Sequence, residues 1–278
     1  MHQRCSVFFC AKEHAVSGLV TTEQTGAIFR ITLNRPEKRN AISWQVGQDL
    51  RAAIDQAASA SGVRVVVLSG AGSVFSAGID LGDLMDLPNR YGEHWLRQMR
   101  TITDDWQALT TRLERLEIPT IAALHGMCLG LGLEIALACD FRIAAQGTKL
   151  ALPETRLGIV PDVGGTTRLT RLVGVGRAKE LIMTGRTFSA TDAERWGVVN
   201  QLADADDLNT VVQAFADELI LAAPLAVGMA KRVIDGMFDV DRGLLLEGWA
   251  QSQLIRTADF SEGVQAAIAR RAAEFKGE

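Results

Sequence analysis

The sequence predicts an α/β fold. Strand-like and helix-like segments alternate over roughly the first 165 residues, an arrangement typical of parallel βαβ units with right-handed crossovers. A nearly continuous apolar run at residues 63–68 indicates a strand that is buried on both faces, as strands of parallel sheets are. From Gly176 onward the pattern is helical. The chain has 278 residues, 47% of them apolar, which is enough to bury a large core.

The other strands are predicted from β-branched and apolar runs that turn residues bound on either side. Thr25 and Gly26 form the turn between the first two strands, so these two are expected to make a hairpin. Together with residues 63–68, the predicted strands cover residues 18–23, 27–33, 119–124, 141–144 and 149–152.

The first predicted helix begins after Ser43, whose hydroxyl can accept a bond from a backbone N–H of the first turn. Val46, Leu50 and Ile54 follow at helical spacing, and the helix is expected to end near residue 59. A long helical region is expected at residues 91–116. The C-terminal segments predicted as helices are residues 177–184, 190–196, 206–222, 224–237, 241–257 and 261–275.

Composition and charge argue against several classes of function. The net charge is −4 and the isoelectric point is about 5.7, so a basic nucleic-acid-binding face is not expected. Apolar stretches fall short of the roughly 18 residues that a membrane helix needs, so no membrane association is expected. Cys128 and Cys139 lie in apolar sequence and no CxxC pair occurs, which favours a reducing cytoplasm. The histidines form no ligand cluster, so no metal site is expected.

Three segments have features of a functional site, and the first is residues 75–80, which follow the buried strand. Ligands in α/β folds bind beyond the carboxyl ends of strands, and small residues such as Ala77 and Gly78 let a backbone approach a ligand closely. The same composition also fits a plain strand-to-helix turn.

The second segment is residues 125–134, in which glycines precede an apolar helix. The N–H groups at the start of a helix suit a developing oxyanion. Glu134 lies among leucine and isoleucine residues of this helix. It can complement the helix dipole, yet a carboxylate in such apolar surroundings is unusual for a purely structural residue.

The third segment is residues 152–165. Glu154 follows a predicted strand, and Asp162 precedes the glycine pair that opens a helix at Thr166. An Asp in that place is well explained as a helix cap, so a structural and a chemical role for Asp162 both stay open.

Taken together, these segments resemble the crotonase superfamily, which includes enoyl-CoA hydratases and enoyl-CoA isomerases. The similarity extends over nearly the whole chain from about Gly18. The motifs that carry it are Asn34-Arg35-Pro36, Asn40-Ala41, Ala77-Gly78-Ile79-Asp80, Pro119-Thr120-Ile121-Ala122-Ala123, Gly132-Leu133-Glu134, Ala138-Cys139-Asp140, Pro153-Glu154 and Gly164-Gly165-Thr166-Thr167-Arg168-Leu169.

The resemblance implies a crotonase-like spiral of ββα units with a helical C-terminal trimerisation region. On this basis residues 18–200 form the catalytic core and residues 201–278 the helical region, while residues 1–17 are expected to be a disordered extension. A homotrimer or a dimer of trimers is the implied assembly. No cofactor is implied, because a coenzyme A thioester is itself the substrate.

The resemblance also implies the site residues. Two backbone N–H groups that hold the thioester oxygen correspond to Ile79 and Leu131, and the two glutamates of family hydratases correspond to Glu134 and Glu154. Two nearby carboxyl groups push their pKa values apart, which leaves one acid and one base. The implied substrate-binding positions are Lys38, Ala41, Ala77, Gly78, Asp80 and Gly130.

The coenzyme A phosphates require cations, and the acyl chain requires a pocket. Lys38 and Arg39 are candidates for the phosphates, as are Arg270 and Arg271, which are expected to act on a neighbouring subunit. Residues 84–100 follow the first oxyanion segment and are expected to line the acyl pocket.

Two positions depart from the usual hydratase pattern. Position 131 is usually Gly in the family and is Leu here, which adds bulk and restricts the backbone. Asp162 occupies a place where hydratases have a small residue, and dienoyl-CoA isomerases resemble this sequence there. That isomerase subgroup, however, has Asp where Glu134 stands.

Three hypotheses follow. The leading one is hydration of a 2-enoyl-CoA by Glu134 and Glu154. The second is isomerisation of an enoyl- or dienoyl-CoA double bond, with Glu154 and Asp162 as the proton-transferring pair. The third is a non-catalytic protein that binds acyl-CoA, which the substitution at Leu131 motivates and the intact carboxylates oppose.

Overall fold

Two β-sheets form the framework of the molecule. The computed structural model describes residues 18–222, 224–235 and 240–274; the predicted N-terminal extension, residues 1–17, lies outside them. The strands are β1 (Val20–Thr25), β2 (Ile28–Leu33), β3 (Val65–Gly70), β4 (Thr120–Leu124), β5 (Met127–Leu129), β6 (Phe141–Ala145), β7 (Lys149–Ala151), β8 (Phe188–Ser189) and β9 (Gln201–Ala203).

The larger sheet has the order β1-β2-β3-β4-β6-β9, and the smaller one has the order β5-β7-β8. In the larger sheet β1 and β2 are antiparallel, whereas every pairing from β2 to β9 is parallel. The predicted hairpin and the α/β class are therefore confirmed. The carboxyl ends of β3 and β4 consequently lie at the same edge of the sheet, where the candidate functional loops begin.

Helices connect and cover the strands. They are α1 (Trp44–Ser59), α2 (Leu81–Met85), α3 (Leu87–Tyr91), α4 (Met99–Glu114), α5 (Leu131–Leu137), α6 (Gly165–Thr184), α7 (Ala190–Arg195), α8 (Leu208–Leu221), α9 (Pro224–Asp235), α10 (Val240–Leu254) and α11 (Ala258–Ala269).

Strand β3 is buried on both faces because different helices cover the two sides of the sheet. Val66 and Leu68 belong to the apolar cluster that includes α1 and α5, whereas Val65 and Val67 belong to the cluster that includes α8. Successive side chains of a strand point to opposite faces, so a strand between two helical layers needs apolar residues at every position. This explains the continuous apolar run in the sequence and confirms its interpretation.

Helix α1 follows the local rules that predicted it. The Ser43 hydroxyl accepts a bond from the backbone N–H of Val46 at 3.2 Å, and the helix ends at Ser59. Val46, Leu50 and Ile54 are at most 1% exposed, so the predicted apolar stripe packs into the core.

The prediction of one long helix at residues 91–116 is wrong. The structure has α3 up to Tyr91, a short 3-10 helix at Trp95–Gln98, and α4 only from Met99. Gly92 interrupts the helical path with φ of 77° and ψ of −175°, a conformation that glycine adopts readily. Leu84 and Leu87, before the interruption, and Met99, after it, belong to one apolar cluster, so the chain turns back on itself here.

The C-terminal region differs from the predicted pattern in three places. Helix α6 joins the helix expected to open at Thr166 with the one expected at residues 177–184, and it bends between them at Gly174, where φ is 74°. Two short strands, β8 and β9, were missed. Strand β9 lies inside the region expected to be helical and pairs with β6 at the edge of the larger sheet. The remaining elements from α8 onward are helices, as predicted.

No single helix in the described part of the chain is long and apolar enough to cross a membrane. Residues 205–221 and 224–235 meet the length and composition criteria only as a pair that is bent by 102°.

We expect the Ile121→Ala variant to lower the free energy of unfolding by about 2–5 kcal/mol, since Ile121 is fully buried in β4 and its truncation leaves a cavity. Ile268→Ala is the matched control, because Ile268 is 59% exposed, and its effect should stay within about 0.5 kcal/mol. Urea denaturation at one protein concentration measures both. Equal effects of the two substitutions would contradict the described core.

Candidate active site

Two backbone segments meet at the carboxyl ends of β3 and β4. Ser76 forms an isolated parallel bridge with Cys128. The N–H of Ser76 donates to the carbonyl of Met127, and the N–H of Leu129 donates to the carbonyl of Ser76, both at 3.1 Å. This pairing holds the first candidate segment against the second, and Ile79 and Leu131 follow directly after it.

The N–H of Ile79 points away from the segment to which Ile79 is bridged. Ile42 bonds to the carbonyl of Gly78 and to the N–H of Asp80, which are the peptide groups on either side of Ile79. The Ile79 N–H belongs to the same peptide group as the Gly78 carbonyl, and the C=O and N–H of a trans peptide point in opposite directions, so this N–H faces the side away from Ile42. Within residues 18–222, 224–235 and 240–274 it has no backbone acceptor.

The N–H of Leu131 is available for a different reason. Leu131 is the first residue of α5, and the N–H groups of a first helical turn have no acceptor within the helix. Its side chain is only 3% exposed and lines the cavity that also contains Glu134 and Glu154. The change from the usual glycine therefore adds an apolar wall and leaves a backbone donor in place.

Gly78 and Gly130 allow the two segments to approach each other. A Cβ on Gly78 would lie 2.9 Å from the carbonyl oxygen of Leu129, and φ is +95° there. A Cβ on Gly130 would lie 2.8 Å from Oε1 of Glu154, and φ is +49° there. Any larger residue at either position would push apart the backbone or the Glu154 carboxyl.

Glu134 is buried and well supplied with hydrogen-bond donors. It is 2% exposed, and its Oε1 accepts bonds from the backbone N–H groups of Val163 at 2.9 Å and Gly165 at 2.8 Å. A buried carboxylate needs such partners to remain charged at acceptable cost. The loop that precedes α6 therefore fixes the Glu134 carboxyl and gives it donors that suit its charged form.

Glu154 is in the opposite situation. It opens a 3-10 helix (Glu154–Leu157) after β7, and its Oε2 is buried without a hydrogen-bond partner among the described residues. Burial, together with the negative charge of Asp162, raises the pKa of Glu154 to about 8, although a backbone hydrogen bond acts in the opposite direction. Glu154 is consequently a neutral acid near pH 7.

Asp162 does not occupy the cap position, because the N-cap residue of α6 is Gly164. The interpretation of Asp162 as a helix cap is therefore wrong. Its Oδ2 accepts a bond from the Thr103 hydroxyl at 3.0 Å, and its main-chain carbonyl accepts one from Gln107 at 2.6 Å. Helix α4 thus fixes Asp162 at the wall of the cavity that also contains Glu134 and Glu154.

A buried ion pair supports the loop that carries these contacts. Arg168 is 3% exposed, pairs with Glu114 at 2.8 Å and donates to the carbonyl of Val163 at 3.1 Å. Thr103, Gln107 and Arg168 were not identified from the sequence. Each acts through long-range contacts, and a polar residue in an amphipathic helix gives no signal of which loop it will contact.

An inner cavity of about 70 Å³ contains all three carboxyl groups. Its walls come from α1, the segment of α2 and α3, α4, the loop before α6, and α10. Four residues of the predicted acyl-pocket segment, including Leu84 and Met99, line it. The lining residues are Ile42, Trp44, Ile79, Asp83, Leu84, Leu87, Arg90, Met99, Ile102, Thr103, Trp106, Leu131, Glu134, Glu154, Ile159, Asp162, Val163 and Gln251.

An outer cleft of about 580 Å³ adjoins the inner cavity and shares four lining residues with it, namely Ile79, Leu131, Glu154 and Ile159. The residues that carry the two backbone donors and the acid Glu154 therefore stand at the boundary between the two spaces. The remaining residues of the outer cleft are Ala77, Gly78, Leu81, Gly130, Pro153, Arg156, Leu157, Gly263, Ala266, Ala267, Arg271, Ala272 and Ala273.

Three of the residues expected to bind substrate lie away from both spaces. Asp80 is the N-cap of α2 and forms an ion pair with Arg35 at 2.6 Å. Lys38 is exposed, and Ala41 accepts a bond from Arg35 through its carbonyl. Their contact with a ligand therefore stays a prediction.

Two cations line the outer cleft. Arg271 was considered for a neighbouring subunit and lies at the cleft of its own chain, whereas Arg156 was not considered. In the described part of the chain, no three His, Cys, Asp or Glu side chains converge in a way that could hold a metal ion.

Comparison with known proteins agrees with this geometry. A family model described as enoyl-CoA hydratase/isomerase matches residues 23–278. The chain is 36% identical over 258 residues to a short-chain-enoyl-CoA hydratase of Clostridium acetobutylicum, an alignment that covers 92% of this chain and 96% of that protein. It is 37% identical over 268 residues to an enoyl-CoA isomerase/hydratase of Mycosarcoma maydis, with 92% and 95% coverage.

The fold is similar to that of a crystal structure of an enoyl-CoA hydratase from Mycobacterium avium subsp. paratuberculosis. The TM-score is 0.83 at 27% identity, and the match covers 94% of this chain and 100% of that one. The two-sheet arrangement with C-terminal helices is thus that of crotonase structures, as the sequence motifs predicted.

We expect the Asp162→Asn variant to lower the pKa of Glu154 below about 8, because it removes a like charge from the cavity. The pKa should remain above the usual range of a glutamate, since burial is the larger cause. Carbon-13 NMR titration of labelled glutamate side chains measures it. The control is Asp206→Asn, an exposed position outside the site, which should leave the titration of Glu154 unchanged. An unchanged titration in Asp162→Asn would show that the two carboxyl groups do not interact.

Proposed function

Because this chain belongs to the enoyl-CoA hydratase/isomerase family, we propose that it adds water across the 2,3 double bond of a 2-enoyl-CoA. The observation that carries the proposal is the contrast between two glutamates in one cavity. Glu134 has the backbone donors that suit an anion, and Glu154 has the burial that suits a neutral acid. Hydration needs one group of each kind.

The thioester is proposed to lie at the boundary of the two spaces. Its oxygen accepts bonds from the N–H groups of Ile79 and Leu131, so the negative charge that develops on the enolate is stabilised there. One such donor is worth about 3–4 kcal/mol of transition-state stabilisation. The coenzyme A portion extends through the outer cleft, where Arg156 and Arg271 supply positive charge, and the acyl chain enters the inner cavity.

The two glutamates divide the proton transfers. Glu134 accepts a proton from the attacking water as the oxygen bonds to Cβ, and Glu154 donates its proton to Cα. The resulting 3-hydroxyacyl-CoA contains the elements of one water molecule more than the substrate. The proton on Glu134 must then return to Glu154 through solvent before the next turnover.

Isomerisation of a double bond is the second candidate, and the position of Asp162 supports it. The Asp162 carboxyl lines the same cavity as Glu154, and its charge raises the pKa of Glu154. A pair of this kind could remove a proton from one carbon of the acyl chain and return it to another. Hydration remains the preferred proposal because isomerisation leaves the oriented Glu134 anion without a role.

Assembly and location are expectations that follow the family. We expect a homotrimer or a dimer of trimers in the cytoplasm. Exposed apolar side chains in the C-terminal helices, among them Leu225, Met229 and Val233, support subunit contacts. Cys128 and Cys139 are buried free thiols, which fits a reducing compartment.

We expect incubation with crotonyl-CoA and longer 2-enoyl-CoAs to give 3-hydroxyacyl-CoAs, followed by the loss of enoyl absorbance and by mass spectrometry. Glu134→Gln and Glu154→Gln should each lower kcat by about 10²- to 10⁴-fold, because each removes a proton-transfer group. Glu93→Gln, at an exposed position, is the matched control and should retain full activity.

Two other results would reject hydration. If Asp162→Asn abolished conversion of a 3-enoyl-CoA while Glu134→Gln lowered its rate less, the isomerase hypothesis would be supported instead. Tight acyl-CoA binding in a calorimeter without turnover of any enoyl-CoA would instead indicate a binding protein.

We expect kcat/KM for hydration to fall as the pH rises through about 8. The raised pKa of Glu154 keeps its proton in place below that pH, and the proton needed at Cα is lost above it. Dehydration of the 3-hydroxyacyl-CoA needs the same number of protons on the two glutamates, and its kcat/KM should fall over the same interval, because the ratio of the two values equals an equilibrium constant that does not depend on pH. Asp162→Asn should move both transitions to lower pH. Rates that rise with pH in the hydration direction would show that Glu154 is not the acid.

A further inference from the structure

The wall of the inner cavity contains a buried amide oxygen without a hydrogen-bond partner among the described residues. Gln251 lies in α10 and is 4% exposed, and it lines the cavity together with Glu134, Glu154 and Asp162. Its Oε1 has no partner among the residues that the structure describes. Leaving a buried polar atom unsatisfied is unfavourable, so the contents of the cavity are expected to satisfy it.

The position of Gln251 is fixed by contacts between α10 and α4. Gln107 donates to the carbonyl of Leu244 in α10 at 3.0 Å and to the carbonyl of Asp162 at 2.6 Å. A Cβ on Gly248 would be 3.5 Å from Cγ2 of Thr103, so the two helices are in close contact. Gln251 follows Gly248 by about one helical turn. The amide therefore stands on the same side of the cavity as the Thr103–Asp162 bond.

Thr103, Asp83 and Arg90, which also line the cavity, already have interaction partners. The Thr103 hydroxyl donates to Asp162, and the Asp83 carboxylate accepts a bond from the backbone N–H of Trp44 at 2.5 Å. The Arg90 guanidinium lies over the Trp44 ring, 5.3 Å from its centroid. Among the described residues that line the cavity, the buried side-chain oxygens without a partner are thus Oε1 of Gln251 on this wall and Oε2 of Glu154 at the boundary with the outer cleft.

The chemistry of an amide narrows the group that would bind it. One edge donates and the other accepts, and a rotation of the amide exchanges them. A hydroxyl group both donates and accepts, so it satisfies either orientation. A carboxylate is disfavoured, because four acidic residues line the same cavity against a single arginine, Arg90, and a carboxylate also has no proton to donate to the unpartnered amide oxygen.

We propose that Gln251 determines acyl specificity by binding a neutral hydroxyl group on the acyl chain of the substrate. The substrate class is then a 2-enoyl-CoA that carries a hydroxyl on the saturated part of its chain. This inference rests on the proposed hydration, because it concerns the acyl portion of that same substrate. It adds a requirement that the thioester and the two glutamates do not impose.

The test compares three kinds of 2-enoyl-CoA of equal chain length. The first has an unsubstituted acyl chain, the second is a set of isomers that each carry one hydroxyl at a chosen carbon beyond the double bond, and the third ends in a carboxylate. The wild-type protein should favour one hydroxylated isomer over the plain chain by about tenfold or more in kcat/KM. Gln251→Met keeps the length of the side chain without the amide and should remove or reverse this preference. Gln253→Met is the matched control, since Gln253 is exposed on the same helix, and it should retain the preference.

Calorimetric binding of saturated acyl-CoAs with and without the hydroxyl provides a readout that needs no turnover. The ratio of the two dissociation constants should change in Gln251→Met and not in Gln253→Met, while thermal melting checks that both variants fold. Equal use of plain and hydroxylated chains by the wild-type protein overturns the inference and leaves hydration intact. A preference for the carboxylate chain, or a preference that survives in Gln251→Met, also overturns it. If no enoyl-CoA is hydrated and the ratio of dissociation constants is the same in the wild-type protein and in Gln251→Met, both proposals are rejected.

Discussion

The backbone pairing of Ser76 with the segment from Met127 to Leu129 is the contact on which the rest of the site depends. It joins loops that are remote in sequence, and it brings Ile79 and Leu131 to the boundary of two spaces. Such close approach of two backbones leaves no room for side chains. The glycines in both loops are a consequence of this pairing. The N–H groups of Ile79 and Leu131 are left without a backbone acceptor by the bridge to Ile42 and by the start of α5, respectively.

The burial of the two glutamates has opposite effects because their surroundings differ. The loop before α6 offers two N–H groups to Glu134, whereas Oε2 of Glu154 meets none among the described residues. The same residue type therefore meets surroundings that favour its charged form at one position and its neutral form at the other. The donors to Glu134 belong to Val163 and Gly165, about thirty residues further along the chain. Arg168 positions their loop by donating a hydrogen bond to the carbonyl of Val163.

Most of the fold was predictable from local patterns, and much of the cavity wall was not. Apolar runs and the Ser43 cap identified β3 and α1, because burial and capping leave a signal in adjacent residues. The short strands β8 and β9 left none, since a two- or three-residue strand exists only through its partner. The motifs predicted that Glu134 and Glu154 belong to one site, and both residues line the inner cavity. The roles of Thr103 and Gln251 depend on how α4 and α10 pack, which no local pattern encodes.

Residues on the two sides of the boundary between the outer cleft and the inner cavity are expected to differ in how freely they change during evolution. In the proposed binding mode, the cleft and the shared residues hold the portion that every coenzyme A thioester has in common. The far wall, which includes residues of α3, α4 and α10, would then contact the portion that differs from one thioester to another. Substitutions on that wall that spare the contacts of Thr103 and Gln107 with Asp162 are expected to alter which thioester is accepted without changing the reaction. A single scaffold of this kind is well suited to diversify by gene duplication, with the variation concentrated in three helices.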